Sequence, residues 1–338
     1  MTTPLGVAII GAGLIGQRRA TEAARHVGSR CVIVADTNEE RAKMVADGVG
    51  ADYTTNWEVA IARNDVDAVV VSTPNGYLMK ITWSALAHGH HVLVEKPMGR
   101  NLVEAKLMQL AAKRSDRILK VGFNHRYHPA ISEAHTRFVR GDIGPVINIR
   151  CRYGHGGRPG YEKEWRGNRH LAGGGELTDQ GVHVVDLFHW FAGVPQQAFG
   201  VIQTAVWPLG DLEDNGFGTF IHSAGVTTQF HTSWTQWKNL FSLEVFGSNG
   251  AVIVDGLGRS YGTETLTVYR RKPEGGRPDR EVIQYGEEDI SWQLEWVDFL
   301  NAIHTGSEML GTADDGVIAM RMLDALYRSA KSESVVKV

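Results

Sequence analysis

Lys96 lies in the segment VLVEKPMG, directly after an apolar run, and a lysine at such an exit point can hydrogen-bond a substrate hydroxyl. When partly desolvated it can also take part in proton transfer, whereas paired with Glu95 it would be an ordinary surface lysine. Pro97 has no backbone donor and helps to end the strand. A second group of reactive types sits in GGGELTDQGVHVVDLFHWF, residues 173–191. After its triple glycine this stretch predicts one helix. Asp179, His183, Asp186 and Trp190 then fall at i, i+4, i+7 and i+11 on one face. An acid one turn before a histidine can orient the imidazole and stabilise its protonated form, as a general base taking a proton from an alcohol requires. Taken alone, the segment also fits an inert surface pair, a packed core histidine or a shared cation. Cys is absent there and no HExxH pattern occurs, so no metal site is expected.

Upstream, YGHGGRPGYEKEWRGNRH (153–170) is rich in Gly, Arg, His and aromatic residues. As a binding loop it offers Tyr153, His155, Trp165 and Arg166 to stack on and hydrogen-bond a polyhydroxylated ligand. Arg158, Lys163, Arg166 and Arg169 could instead face a phosphate, and a solvated flexible loop is the plainer reading.

The third group is VAIIGAGLIG, residues 7–16, with Gly11, Gly13 and Gly16. Between a strand and a helix, the first glycine makes a tight turn and the second lets backbone approach a pyrophosphate. The third lets helix and strand pack closely. The phosphates then meet free N–H groups and the positive end of the helix dipole. The next apolar run, Cys31 to Ala35, ends in Asp36, where an acid can hydrogen-bond the adenosine ribose hydroxyls and repel an added phosphate. NAD is therefore the expected cofactor. Arg41 is close enough in sequence to soften the preference, so NADP stays open.

The elements that must carry these groups are legible in the hydropathy pattern. Apolar runs at 5–10, 31–35, 67–72, 91–95 and 118–123 alternate with helix-like segments at 39–47, 77–88 and 101–114. Such alternation predicts βαβ units and a parallel, doubly wound sheet. The unusual residues collect at strand exits: Gly11, Asp36, Ser72 to Asn75, Glu95 to Pro97, and Asn124. That is the edge where open α/β sheets bind ligands. Beyond about residue 124 the rhythm changes to strands in close succession: 146–153, 198–206, 217–222, 226–234, 241–246, 251–254, 265–270 and 281–285. They predict a large, mostly antiparallel sheet, followed by helices at 292–304 and 313–330. The fold class is thus α/β, with a dinucleotide-binding domain at 1–123 and an α+β substrate domain at 124–338. A large one-sided sheet must cover its other face, and a partner subunit is one way to do so.

With 338 residues, two domains are the natural expectation, and a formal net charge of -3 argues against a nucleic-acid partner. Two cysteines, Cys31 and Cys151, are too few for a disulfide framework and suit core packing. No apolar stretch reaches membrane-spanning length and MTTP leads straight into the first strand, so a cytoplasmic protein without a signal peptide is expected.

The motifs in order resemble the Gfo/Idh/MocA oxidoreductases: VAIIGAGLIG, VADTNEERA, VVVSTPNG, GHHVLVEKPM, GFNHRYHP, the Trp165-Arg166 pair and GGGELTDQGVHVVDLFHW. The likeness covers essentially the whole chain. It implies an N-terminal Rossmann domain and an α/β domain whose open sheet serves oligomerisation, hence a homo-oligomer, dimer or tetramer. It places the catalytic lysine on Lys96 and the acid–histidine pair on Asp179 and His183. The implied cofactor site comprises Leu14, Ile15, Thr37, Arg41, Ser72, Thr73, Pro74, Asn75, Glu95, Lys96, Asn124, Trp165 and Arg166 beside the glycines and Asp36. The implied substrate contacts are Lys96, Asn124, Arg126, Tyr153, His155, Arg158, Trp165, Arg166, Asp179 and His183. The activity implied is NAD(P)-dependent oxidation of a secondary ring hydroxyl of a sugar, sugar derivative or cyclitol. Alternatives are a nucleotide-sugar or sugar-phosphate 3-dehydrogenase, a non-catalytic dinucleotide sensor, and glycoside cleavage through transient oxidation. Two positions depart from the family pattern, since Leu78 and Arg19 stand where histidine is frequent.

Overall fold

The structure is a computed structural model that describes residues 4–286 and 288–338, and it divides into two units, 1–123 with 292–317 and 124–291 with 318–338. In the first unit strand and helix alternate as β1 (Leu5–Ile10), α1 (Leu14–Arg25), β2 (Ser29–Ala35), α2 (Glu39–Val49), β3 (Asp52–Thr54), α3 (Trp57–Ile61), β4 (Ala68–Val71), α4 (Asn75–Ala87), β5 (His91–Val94), α5 (Leu102–Ser115) and β6 (Leu119–Val121). The strands form one parallel sheet in the order β3-β2-β1-β4-β5-β6. The central strands β1 and β4 are apolar without alternation because helices cover both faces; every residue of β4 is fully buried. Strand order reverses between β1 and β4, which opens a crevice at their carboxyl ends. Asn38, Asn56 and Asn101 cap α2, α3 and α5 through their side chains, whereas α1 and α4 carry no side-chain cap. The two helices without a capping side chain are the ones that begin at β1 and β4, on the ligand edge.

The second unit opens with a 3₁₀ turn at Asn124–Tyr127 and α6 (Pro129–Val139), then β7 (Val146–Gly154). Three helices follow, α7 (Arg169–Ala172), α8 (Glu176–Asp179) and α9 (Gly181–Ala192). The rest of the sheet is β8 (Gln197–Gln203), β9 (Asn215–Ile221), β10 (Thr227–Ser233), β11 (Leu240–Gly247), β12 (Gly250–Asp255), β13 (Thr265–Arg270) and β14 (Asp279–Gln284). After α10 (Ser291–Thr305) and α11 (Ala313–Ser332), a short β15 (Val336–Lys337) completes a nine-stranded sheet ordered β14-β13-β12-β11-β7-β10-β9-β8-β15. All pairings are antiparallel except β7 with β10. β7 alternates as its sequence predicts: Ile149, Cys151 and Tyr153 are buried, while Arg150 and Arg152 are exposed.

Three expectations change. The second domain does not hold the whole of 124–338, because 292–317 returns to the first unit. The reason is apolar: Trp296, Phe299 and Leu300 of α10 are buried in one cluster with Val7, Ile9 and Val70. The predicted single helix over 173–191 is broken at Gln180 into α8 and α9, although Asp179 and His183 keep their spacing across the break. Short elements without a strong period (β3, α3 and α6) are additions to the sequence reading.

Candidate active site

In the first unit the glycine turn is built as its spacing requires. Gly11 adopts φ +97°, and a side-chain carbon there would lie 2.6 Å from the Ser72 carbonyl oxygen. One on Gly16 would come within 1.8 Å of the Gly11 carbonyl oxygen. A side-chain carbon on Gly13 would meet no protein atom within 4 Å. Protein packing therefore explains Gly11 and Gly16 but not Gly13, whose bareness leaves room beside the start of α1. That helix has no side-chain cap and no acid in its first turn. Such a cradle fits the pyrophosphate of a dinucleotide. Ser72 braces it by donating to the Gly11 carbonyl at 2.8 Å. Leu14 is 70% exposed at the head of α1. Ile15, Thr73 and Pro74 are half-buried, Thr37 is exposed, and Asn75 is buried in the first turn of α4.

Asp36 follows β2 directly. Its carboxylate accepts from the Ala12 N–H at 2.8 Å and the Asn38 N–H at 2.9 Å, and Arg41 approaches at 3.9 Å. The acid thus faces the glycine turn in a fixed orientation, as a ribose-binding carboxylate should.

At the exit of β5, Lys96 is half-buried. Its neighbour Glu95 is held by a cation. Glu95 Oε1 accepts from Arg19 Nε at 2.8 Å and Nη2 at 2.7 Å, and Arg19 Nη1 reaches Glu295 Oε2 at 2.5 Å. Arg19 is fully buried, and the Trp292 ring lies 4.6 Å from its guanidinium. Lys120 pairs with Asp298 at 2.8 Å in the same region. Glu95, expected among the cofactor residues, is thus a carboxylate held by Arg19. Both departures from the family pattern are buried, since Leu78 is also 0% exposed.

In the second unit His183 of α9 is buried and stacks on His125 at 3.7 Å, with the rings 21° from parallel. His125 Nδ1 lies 3.2 Å from Asn124 Oδ1, and Asn124 Nδ2 donates to Ser291 Oγ at 3.1 Å. Tyr153 stands edge-on to His125 at 5.3 Å and bonds to Tyr261. Burial, then Tyr261, Glu176 and Asp179, hold the Tyr153 phenol well above its ordinary range, so it remains a neutral donor. Burial pushes Tyr261 up to about 12. Asp179 accepts from Arg166 Nε at 3.0 Å. The attraction of Asp179 raises the Arg166 pKa further. Gly157 N–H donates to His155 Nδ1 at 2.9 Å, and burial lowers the His155 pKa against the pull of Asp179.

The loop 153–170 is anchored rather than loose. Tyr161 is buried with Leu209, Leu212 and Trp234, and the Arg166 guanidinium lies 4.5 Å from the Trp165 ring. Its arginines are paired: Arg158 with Glu164 at 2.6 Å, Arg166 with Asp179 and Arg169 with Asp211 at 3.1 Å. Arg126, expected as a substrate contact, stands in a clamp within the second unit. It is buried and meets Asp186 through Nε at 2.9 Å and Nη2 at 2.6 Å, with Trp190 at 5.5 Å. Asp186 and Trp190, read as one face with the catalytic pair, are the other half of that clamp.

Sequence reasoning missed His125, Tyr261 and the Arg19 network. His125 stands inside GFNHRYHP and was within reach of a local reading. Tyr261 lies in a loop after β12, far from Tyr153 in sequence, and Arg19 meets Glu295 across 276 positions, so neither leaves a local signal.

Comparison with known proteins agrees with this geometry. Residues 5–123 match the profile of the oxidoreductase family with an NAD-binding Rossmann fold, GFO_IDH_MocA, and residues 131–253 match the GFO/IDH/MocA C-terminal domain. A 1,5-anhydro-D-fructose reductase of Ensifer adhaerens is 28% identical over 98% of this chain and 97% of its own length. A levoglucosan dehydrogenase of Pseudarthrobacter phenanthrenivorans is 27% identical over 90% of this chain and 89% of its own. The solved structure of a levoglucosan dehydrogenase with NADH and levoglucosan superposes with a TM-score of 0.91 over 99% of this chain and 100% of its own, at 24% identity. With the cradle at Gly13, the acid at Asp36 and both halves matched in order, the chain belongs to the Gfo/Idh/MocA family of NAD-binding oxidoreductases.

Proposed function

We propose that this dehydrogenase oxidises a secondary ring hydroxyl of a neutral sugar, glycoside or cyclitol. The observation that carries the choice of a neutral substrate is the pairing of Arg158, Arg166 and Arg169 with carboxylates. Each pairing offsets a positive charge locally, and Arg166 is the most shielded of the three, so the loop presents less net positive charge to a phosphate or nucleotide conjugate than its arginine count suggests. Resemblance to sugar 3-dehydrogenases favours a hexose with position 3 as the oxidised carbon. Named relatives include a D-glucoside 3-dehydrogenase of Escherichia coli and inositol 2-dehydrogenases, which fits a polyhydroxylated ring.

NAD, when bound, supplies the hydride acceptor. His183 takes the hydroxyl proton on its imidazole, Asp179 stabilises the imidazolium, and Lys96 hydrogen-bonds the reacting oxygen. These roles rest on the ordered motifs and on the protonation chemistry of each group within its own unit. Arg166 holds Asp179, and the neutral Tyr153 phenol, whose O–H points to Tyr261, is suited to accept from a ring hydroxyl. Asp36, with both oxygens set by backbone donors, selects NAD over NADP. The exposed apolar side chains of β8, Phe199, Val201 and Ile202, support a homo-oligomer joined through the nine-stranded sheet.

The test is turnover of a neutral hexose or its methyl glycoside, the hexose phosphate and the nucleotide conjugate, followed by reduced-nicotinamide absorbance. Faster turnover of the charged forms would overturn the neutral-substrate reading. NAD binding without turnover on a broad panel would favour the sensor reading.

A further inference from the structure

We propose that Arg19 sets the relative affinity of the protein for oxidised and reduced cofactor by neutralising Glu95. The inference rests on the NAD-binding fold and concerns residues of the first unit alone. Strand order puts Asp36, after β2, on one side of β1, and the exits of β4 and β5 on the other. A dinucleotide with its adenosine ribose at Asp36 and its pyrophosphate at α1 lays its nicotinamide half toward β4 and β5. Glu95 is the first residue beyond β5.

Oxidised nicotinamide carries a positive charge and reduced nicotinamide carries none. A bare carboxylate on this side therefore favours the oxidised form, and a cation bound to that carboxylate removes the bias. Arg19 is such a cation. Its guanidinium grips Glu95 through two N–H groups at 2.8 and 2.7 Å, and its third arm holds Glu295 at 2.5 Å. The site is dry, since Arg19 and Glu295 are 0% exposed and Glu95 only 8%. Salt consequently screens it little.

The surroundings are shaped for the pair. A side-chain carbon on Gly122 would lie 2.9 Å from Arg19 Nη2 and 3.0 Å from Glu95 Oε2, so glycine is what makes room for both. Trp292 covers the guanidinium, with Arg18 at 5.5 Å from the same ring. Lys120 and Asp298 form a second ion pair whose charges reach Glu295 and Lys120 respectively. The charges facing Arg19 are thus Glu95 and Glu295, with Lys120, Asp298 and Arg18 beyond them. A lysine at position 19 could supply the charge but not the fork that spans two carboxylates.

The test measures dissociation constants for NAD+, by tryptophan quenching, and for NADH, by its own fluorescence. The proteins are the wild type, Arg19→Met, Arg19→Lys, Glu95→Gln and the double variant Arg19→Met/Glu95→Gln. Arg19→Met should shift the ratio of the two constants about tenfold toward NAD+. Glu95→Gln should move the ratio the other way, the double variant should restore it to within about twofold, and Arg19→Lys should hold it near wild type. Weaker binding of both forms by the same factor in Arg19→Met and Glu95→Gln would make Arg19 purely structural and overturn the proposal. So would shifts of one sign in both. If Arg19→Met does not fold, Glu95→Gln and the double variant still decide it. A wild type that binds neither form would instead strike the cofactor reading itself.

Discussion

Arg166 donates from Nε to Asp179 at 3.0 Å, so the acid of the proposed catalytic pair is held by a cation thirteen positions upstream. The contact joins the aromatic loop to α8 and fixes the carboxylate before any substrate arrives. Both side chains are largely shielded, at 30% and 17% exposure, which keeps the pair from being a screened surface contact. Replacing Arg166 by Met should lower kcat/KM about 10- to 100-fold, with Lys recovering part of the loss. Steady-state kinetics checks this, and unchanged kcat/KM in Arg166→Met would detach Arg166 from catalysis.

The proton-handling roles predict a sharper loss. His183→Ala and Lys96→Met should each reduce turnover by about 10² to 10⁴-fold, while NAD binding stays within a few-fold of wild type. Near-normal turnover in His183→Ala on the true substrate would refute the assignment of the base.

The glycines separate fold from cofactor. Gly16→Ala forces a carbon to 1.8 Å from a backbone oxygen and should destabilise the first unit, seen as a lower Tm. Gly13→Ala meets no protein atom within 4 Å and should melt like the wild type yet bind NAD at least about tenfold more weakly. Equal NAD affinity in Gly13→Ala would show that the open space there is not used by the cofactor.

Asp36 should act on the cofactor and on its own loop. Asp36→Ser removes the ribose acceptor and the repulsion toward a 2′-phosphate, so the preference for NAD over NADP should narrow by about tenfold or more. Because Asp36 also accepts from the Ala12 and Asn38 N–H groups, Tm should fall as well. Competitive titration of both cofactors reads the first effect and calorimetry the second.

A pH dependence follows from His135, whose ring stacks on Trp190 at 3.6 Å beside the Arg126 clamp. Burial lowers its pKa from 6.5 to about 4, the Trp190 carbonyl opposes this, and Arg126 adds to it. The unfolded chain takes up the proton first, so this contribution to stability is complete above 6.5 and is lost as pH falls toward 4. Urea midpoints should therefore drop between pH 7 and pH 5, and His135→Phe should flatten that drop.

Local pattern and covalent order carried much of the design. Uninterrupted apolar runs gave β1 its observed bounds, because a strand buried on both faces admits no polar position. Alternation in 146–153 marked β7 as half-buried. The glycine spacing, Asp36, and the ordered motifs that end in Asp179 and His183 were legible in the same way, since each lies within a short stretch of chain. The long-range pairings were not. Arg19 ties Glu95 to Glu295, and Arg126 meets Asp186, across spans of sequence that no local pattern reports. The return of 292–317 to the first unit was equally hidden, for α10 has a helical pattern wherever it packs. Hydropathy and turn chemistry act within a few residues, so the sequence alone determined the longer elements, the glycine turn and the family. Buried charges must find opposite charges wherever the chain brings them, so only the tertiary structure decided which polar residues are tied to one another.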